Sequence, residues 1–183
     1  NAVLNDIISD GNDFLITGCV SDTTDFLGTP VETSAGSRFI ARVTLDGQLI
    51  ALHVDYPRFP GALSNGLECK RTPNGEIILL TSERDSATAT HHSYPGQLAV
   101  LLHLDSQFQV KNRLVVDKCA FACGSFHELK ISAKGDIFLL HSRSYSQSGA
   151  DDSWSKLFKF TNGLKLVAST FVVPLHHAIA EIR

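Results

Sequence analysis

Histidine and cysteine offer the first chemistry to weigh. The segment KCAFACGSFH (118–127) places Cys119, Cys123 and His127 close together, and zinc and other transition metals accept thiolate and imidazole ligands. Steps of four residues align such ligands only on a helix, and Gly124 and the strand opening near His127 argue against one. A structural zinc motif also needs two close ligand pairs, so no metal is assigned. The four cysteines, Cys19, Cys69, Cys119 and Cys123, read as buried thiols or as partners in a disulfide, with Cys119–Cys123 and Cys69–Cys119 both open.

Adjacent histidines occur at His91-His92 and again at His176-His177. Neighbours on a strand point to opposite faces, so neither pair chelates easily. His103 and His141 lie among apolar residues and read as core histidines with partners. Nucleophilic catalysis lacks its frame, because no G-x-S-x-G elbow is present. Carboxylates cluster at Glu83 and Asp85 in SERD (82–85) and at Asp151-Asp152 in GADD (149–152). Arg84 offsets the first cluster, and the second lacks the alternating ligand spacing of a calcium loop, so both read as solvated loop positions. No glycine-rich phosphate loop calls for a nucleotide, and no cofactor is expected.

Composition narrows the partners. The chain has 183 residues, 43% hydrophobic, with a formal charge of −3, as suits one globular domain with a real core. No basic stripe interleaved with aromatics suggests nucleic acid. The apolar runs are of strand length, too short for a membrane span. Localisation is left open, with a lean toward a secreted or periplasmic compartment. The chain starts at Asn1 and contains no Met, and the expectation is that it is a piece of something larger.

The elements that must position these groups repeat. TPNGEIILLTS (72–82) returns as SAKGDIFLLHS (132–142), with an earlier version in SDGNDFLITGC (9–19). Each unit opens with a short segment: LNDIIS (4–9), LECKRT (67–72) or HELKIS (127–132). A tight glycine turn and an apolar strand follow. After a long polar stretch comes a third strand: RFIARVTL (38–45), QLAVLLHL (97–104) or WSKLFKF (154–160). A DGQ, DSQ or TNG turn leads to a fourth: LIALHV (49–54), FQVKNRLVV (108–116) or LKLVASTFVV (164–173).

Units of four antiparallel strands predict an all-β fold, a partial β-propeller of three blades, with a β-sandwich as the alternative. The blades span about 4–58, 64–117 and 124–174, and HHAIAEIR (176–183) supplies the first strand of a fourth at 178–183. The DG or NG turn before an apolar strand, with a later RxxLDG turn as in RVTLDG (42–47), resembles the degenerate repeats of bacterial propellers in the quinoprotein-like and lactonase-like group. The resemblance implies the fold and carries over no functional residue. Three blades cannot close a ring, so further blades or other chains are the expected partners that complete it.

In such a meander the tight turns share one face, and the long connections and blade-to-blade links share the other. Function is expected on the long-loop face. The links enter the innermost strands, which nominates Arg58, Asn65, Ser125, His127, His176 and His177 for a central binding site. No catalytic residue is assigned. The expectation is a non-enzymatic binding or scaffold module for a protein or glycan. The alternative is part of a propeller enzyme (a dehydrogenase, lactonase or lyase subunit) with a His/Asp-lined axial site.

Overall fold

The runs IILL (77–80) and LAVLLHL (98–104) have no polar alternate, which means that both faces of their strands must be covered. The computed structural model describes residues 2–20, 24–31, 37–55, 68–84, 97–119, 127–143, 146–147, 150–151 and 154–172. These form strands and turns only, so the described chain is all-β. The first stretch holds β1 (Ala2–Asp10), β2 (Asp13–Val20), β3 (Thr24–Phe26), β4 (Thr29–Val31), β5 (Ser37–Thr44) and β6 (Leu49–Asp55). The second holds β7 (Glu68–Arg71), β8 (Ile77–Arg84), β9 (Gln97–Leu104) and β10 (Val110–Cys119). The third holds β11 (His127–Ile131), β12 (Ile137–Arg143), β13 (Ser146–Gln147), β14 (Ala150–Asp151), β15 (Trp154–Phe160) and β16 (Leu166–Val172).

Three four-stranded antiparallel sheets result, ordered β1-β2-β5-β6, β7-β8-β9-β10 and β11-β12-β15-β16. Their strands run in chain order, and none of these sheets closes on itself among the described residues. The second sheet lies between the other two. Ile77, Leu79, Val100 and Leu102 pack on Leu15 and Ile40 of the first sheet. Ile78, Leu80 and Leu101 pack on Leu129, Leu139 and Phe158 of the third. Successive side chains therefore enter two different cores, which accounts for the uninterrupted apolar runs. At the same time the short first strands meet: β7 lies beside both β1 and β11.

The long connections expected between second and third strands are partly structured. Residues 24–31 form the β3–β4 hairpin, and Phe26 sets its ring edge-on to Phe39 at 4.8 Å. That contact helps bury the outer face of the first sheet, where Phe39, Ala41 and Val43 are buried. A smaller hairpin joins β13 to β14.

Five tight turns share one bonding plan, at 44–48, 72–76, 105–109, 132–136 and 161–165. The first residue donates its N–H to the fifth carbonyl, and the fourth returns an N–H to the first, as in Thr72 to Glu76 (2.8 Å) and Gly75 to Thr72 (2.9 Å). The fourth residue takes positive φ. Gly75 (φ 86°) suits that place, since a Cβ there would stand 3.2 Å from the Arg71 guanidinium. In two turns, however, the left-handed residue is Phe108 (φ 63°) or Leu164 (φ 62°), although Gly163 precedes the latter. Both side chains are buried. Burying such a side chain contributes about 1.5–3 kcal/mol. The left-handed backbone costs about 1–2 kcal/mol. The expected fourth strands at 108–116 and 164–173 accordingly begin later, at Val110 and Leu166.

Candidate functional site

Register, rather than any single motif, brings the charged groups of the first strands together. Asp6 pairs with Thr17, Glu68 with Leu80 and Glu128 with Leu140, which are matching positions of the three sheets. Two residues on, Ile8, Lys70 and Lys130 match in the same way. Side chains at i and i+2 share a strand face, so a layer of carboxylates stands behind a layer with two ammonium groups. Lys70 lies 3.1 Å from Glu68 and 3.7 Å from Asp6, and Lys130 lies 3.1 Å from Glu128. Burial pulls the Lys70 ammonium down, but the hydrogen bond and charge of Glu68, with Asp6 adding to them, leave it above the usual lysine value. Glu68 also reaches the neighbouring sheet, accepting the Leu129 N–H at 2.9 Å.

Cys69 sits between these charges but faces the apolar core, fully buried and free. Cys69 makes no disulfide, so the Cys69–Cys119 pairing finds no support. Burial first, then the negative charge of Asp6, pushes the Cys69 thiol up to about 12 from 9.0. The thiolate is the reactive form, so at neutral pH about 1,000-fold less of it is available than from an ordinary cysteine. Iodoacetamide labelling of the native protein at pH 8, read by peptide mass spectrometry, should modify Cys69 only after unfolding. Native labelling of Cys69 at the rate of Cys19 would contradict the buried placement.

Polar struts cross between sheets. Arg38 of the first sheet, itself buried, donates to the Thr81 hydroxyl of the second. Asp117 of the second sheet bonds His141 of the third at 3.0 Å, and Trp154 stands edge-on to that imidazole at 5.3 Å. Lys156 lies over both Phe158 and Phe171, 5.2 and 5.0 Å from the ring centres. At the tight-turn end Glu76 is a hub. It binds Lys111, His103 at 2.9 Å, Asn74 at 2.8 Å and, from the third sheet, Asn162 at 3.4 Å. The Lys111 hydrogen bond, followed by that of Asn74, holds the Glu76 carboxyl at about 2, down from 4.5. His103 and His141 therefore have partners, as the sequence suggests, yet those partners are acids on other strands or turns.

The first strands end at a half-open cavity of about 350 Å³ on the tight-turn side. Ile8, Leu15 and Ile131 form apolar wall, and Ser9, Lys70, Arg71 and Lys130 supply the polar groups. The chain matches no protein-family model, and no curated protein matches it either.

Of the residues nominated from sequence, Arg58, Asn65, Ser125, His176 and His177 lie outside the described residues. His127 opens β11 opposite His141, at the long-connection end of the third sheet. Two placements need correction. Ser82–Arg84 continue β8, paired with 97–99 of β9, so Glu83 belongs to a strand and not to a loop. Asp151 lies in β14. Among the described residues no three His, Cys, Asp or Glu side chains are grouped to hold a metal ion. No helix is long and apolar enough to cross a membrane among them.

The acid layer escaped the sequence reading because LNDIIS, LECKRT and HELKIS were matched without a gap. An irregularity between Leu4 and Asp6 shifts β1 by one residue and brings Asp6 level with Glu68 and Glu128. The recurring Glu-x-Lys of LECK and HELK was the available signal.

Proposed function

We propose that the chain forms three consecutive blades of a β-propeller and serves as a non-enzymatic binding module, gripping a protein or glycan with its long-loop face. The observation that carries the architectural half is the second sheet, buried on both faces while its first strand lies beside those of both neighbours. A two-layer sandwich leaves each sheet one solvent face. Blades set around an axis bury both faces of an inner blade and gather the first strands at the centre. Further blades or other chains would complete the ring.

The binding half rests on loop asymmetry. All five turns of the shared bonding plan sit at one end of the sheets, while connections such as 85–96 and links such as 56–67 leave from the other. An enzyme would need titratable groups open to a substrate, whereas His103 is buried against Glu76 within the second sheet and His141 is a buried strut to Asp117 between sheets. The test is a glycan array and a pull-down with the purified chain, repeated with alanine at Arg58, Asn65, His127, His176 and His177. Ligand capture that is lost with these changes, and kept in Lys134→Ala on the tight-turn face, is the expected result. The reverse pattern would overturn it. Native mass spectrometry addresses the ring separately: additional chains or copies support closure by assembly, and a lone 19.9 kDa species counts against it.

A further inference from the structure

We propose that the cavity where the first strands of the three sheets end is a second binding site, on the face opposite the long loops, for a small polyanion carrying two or more carboxylate or phosphate groups. Three cationic residues from two strands, Lys70, Arg71 and Lys130, line it, and no carboxylate is among its described lining residues. The acids of the same strands stand two residues back, where they face the ammonium groups from behind.

This layering holds the two lysines without using all of their donors. Glu68 and Asp6 engage Lys70 on two sides, and Glu128 engages Lys130 on one. An ammonium carries three donors, so each lysine can offer at least one more toward the cavity. Arg71 adds a planar fork whose geometry matches the paired oxygens of a carboxylate or phosphate. A ligand with one oxyanion would satisfy only part of this set, and a polyanion can span it. The apolar walls, Ile8, Leu15 and Ile131, exclude part of the water and strengthen each contact. The contacts are between charges open to solvent, so binding should weaken as salt is added. Ser9 stands at the rim as a neutral donor or acceptor.

Isothermal titration calorimetry of the full chain, with sodium tripolyphosphate and with citrate as probes, tests the site at low salt and again in sodium chloride. Saturable binding of at least one probe is expected, weakened roughly tenfold in Lys130→Met and in Arg71→Met. Lys165→Met, on an outer turn, should leave it within about twofold. Tighter citrate than tripolyphosphate would assign the site to carboxylates, and the opposite order to phosphates. Lys130 is largely exposed, so its variant should fold, and a thermal melt of each variant verifies this. Absence of saturable binding to the unaltered chain would overturn the proposal. So would equal weakening in all three folded variants, or none in any.

Discussion

Truncating Leu101 to alanine is expected to lower the unfolding free energy by about 2–5 kcal/mol, and Val100→Ala beside it by about 1–3 kcal/mol. Both side chains have no exposed surface, yet they face different cores. Val100 enters the one shared with the first sheet, and Leu101 the one shared with the third. Each truncation removes apolar contact and leaves a cavity that the surrounding sheets refill only in part. Leu166→Ala, at a position 51% exposed on β16, should change stability by no more than about 0.5 kcal/mol. Urea unfolding followed by circular dichroism measures all three. A near-neutral result at either Val100 or Leu101 would mean that one face of the second sheet is open, and the three-layer packing would fall with it.

Replacing Glu76 with glutamine should cost about 1–3 kcal/mol at pH 7, because it removes the negative acceptor of several charged or polar donors. His103 and Lys111 both lie in the second sheet, while Asn162 belongs to the third, so the loss is felt across the sheet boundary. The pH dependence has a definite sign. The folded carboxyl titrates at about 2 and the ordinary one at 4.5, so the unfolded chain binds the proton first. The stabilisation is complete above the ordinary value and drains away as pH falls from about 4.5 toward 2. Urea unfolding of the two proteins between pH 7 and pH 2 should give curves that converge at the acid end. A gap that stays constant over that window would show that Glu76 acts through shape and not through charge.

Much of the local structure was legible from residue order. Strand grammar located the twelve strands of the three large sheets, because Val, Ile, Leu and Phe runs end at Gly, Asn, Asp and Ser. Turn chemistry was legible in kind but not in detail. Gly163 stands in the TNG turn, yet Leu164 takes the positive φ because its side chain is drawn into the core between the second and third sheets. Phe108 takes it too, drawn into the core between the first and second sheets, where the turn DSQ has no glycine to offer. A local rule cannot foresee this, since the compensating burial comes from a sheet far away in sequence.

The candidate sites divide along the same line. The links to the innermost strands drew notice for their histidines and arginine, and most of those residues lie outside the described structure. The acid and base layers of Asp6, Glu68, Lys70, Glu128 and Lys130 depend on one irregular residue in β1 and on three strands meeting side by side. By itself the sequence determined an all-β chain of short antiparallel strands, because alternation and turn residues act over a few positions. Which acid faces which base was decided only in the tertiary structure, as were the partner sheet that covers each strand face and the cavity that the cations line. Those depend on register and sheet packing, where a shift of one residue turns a side chain to the other face.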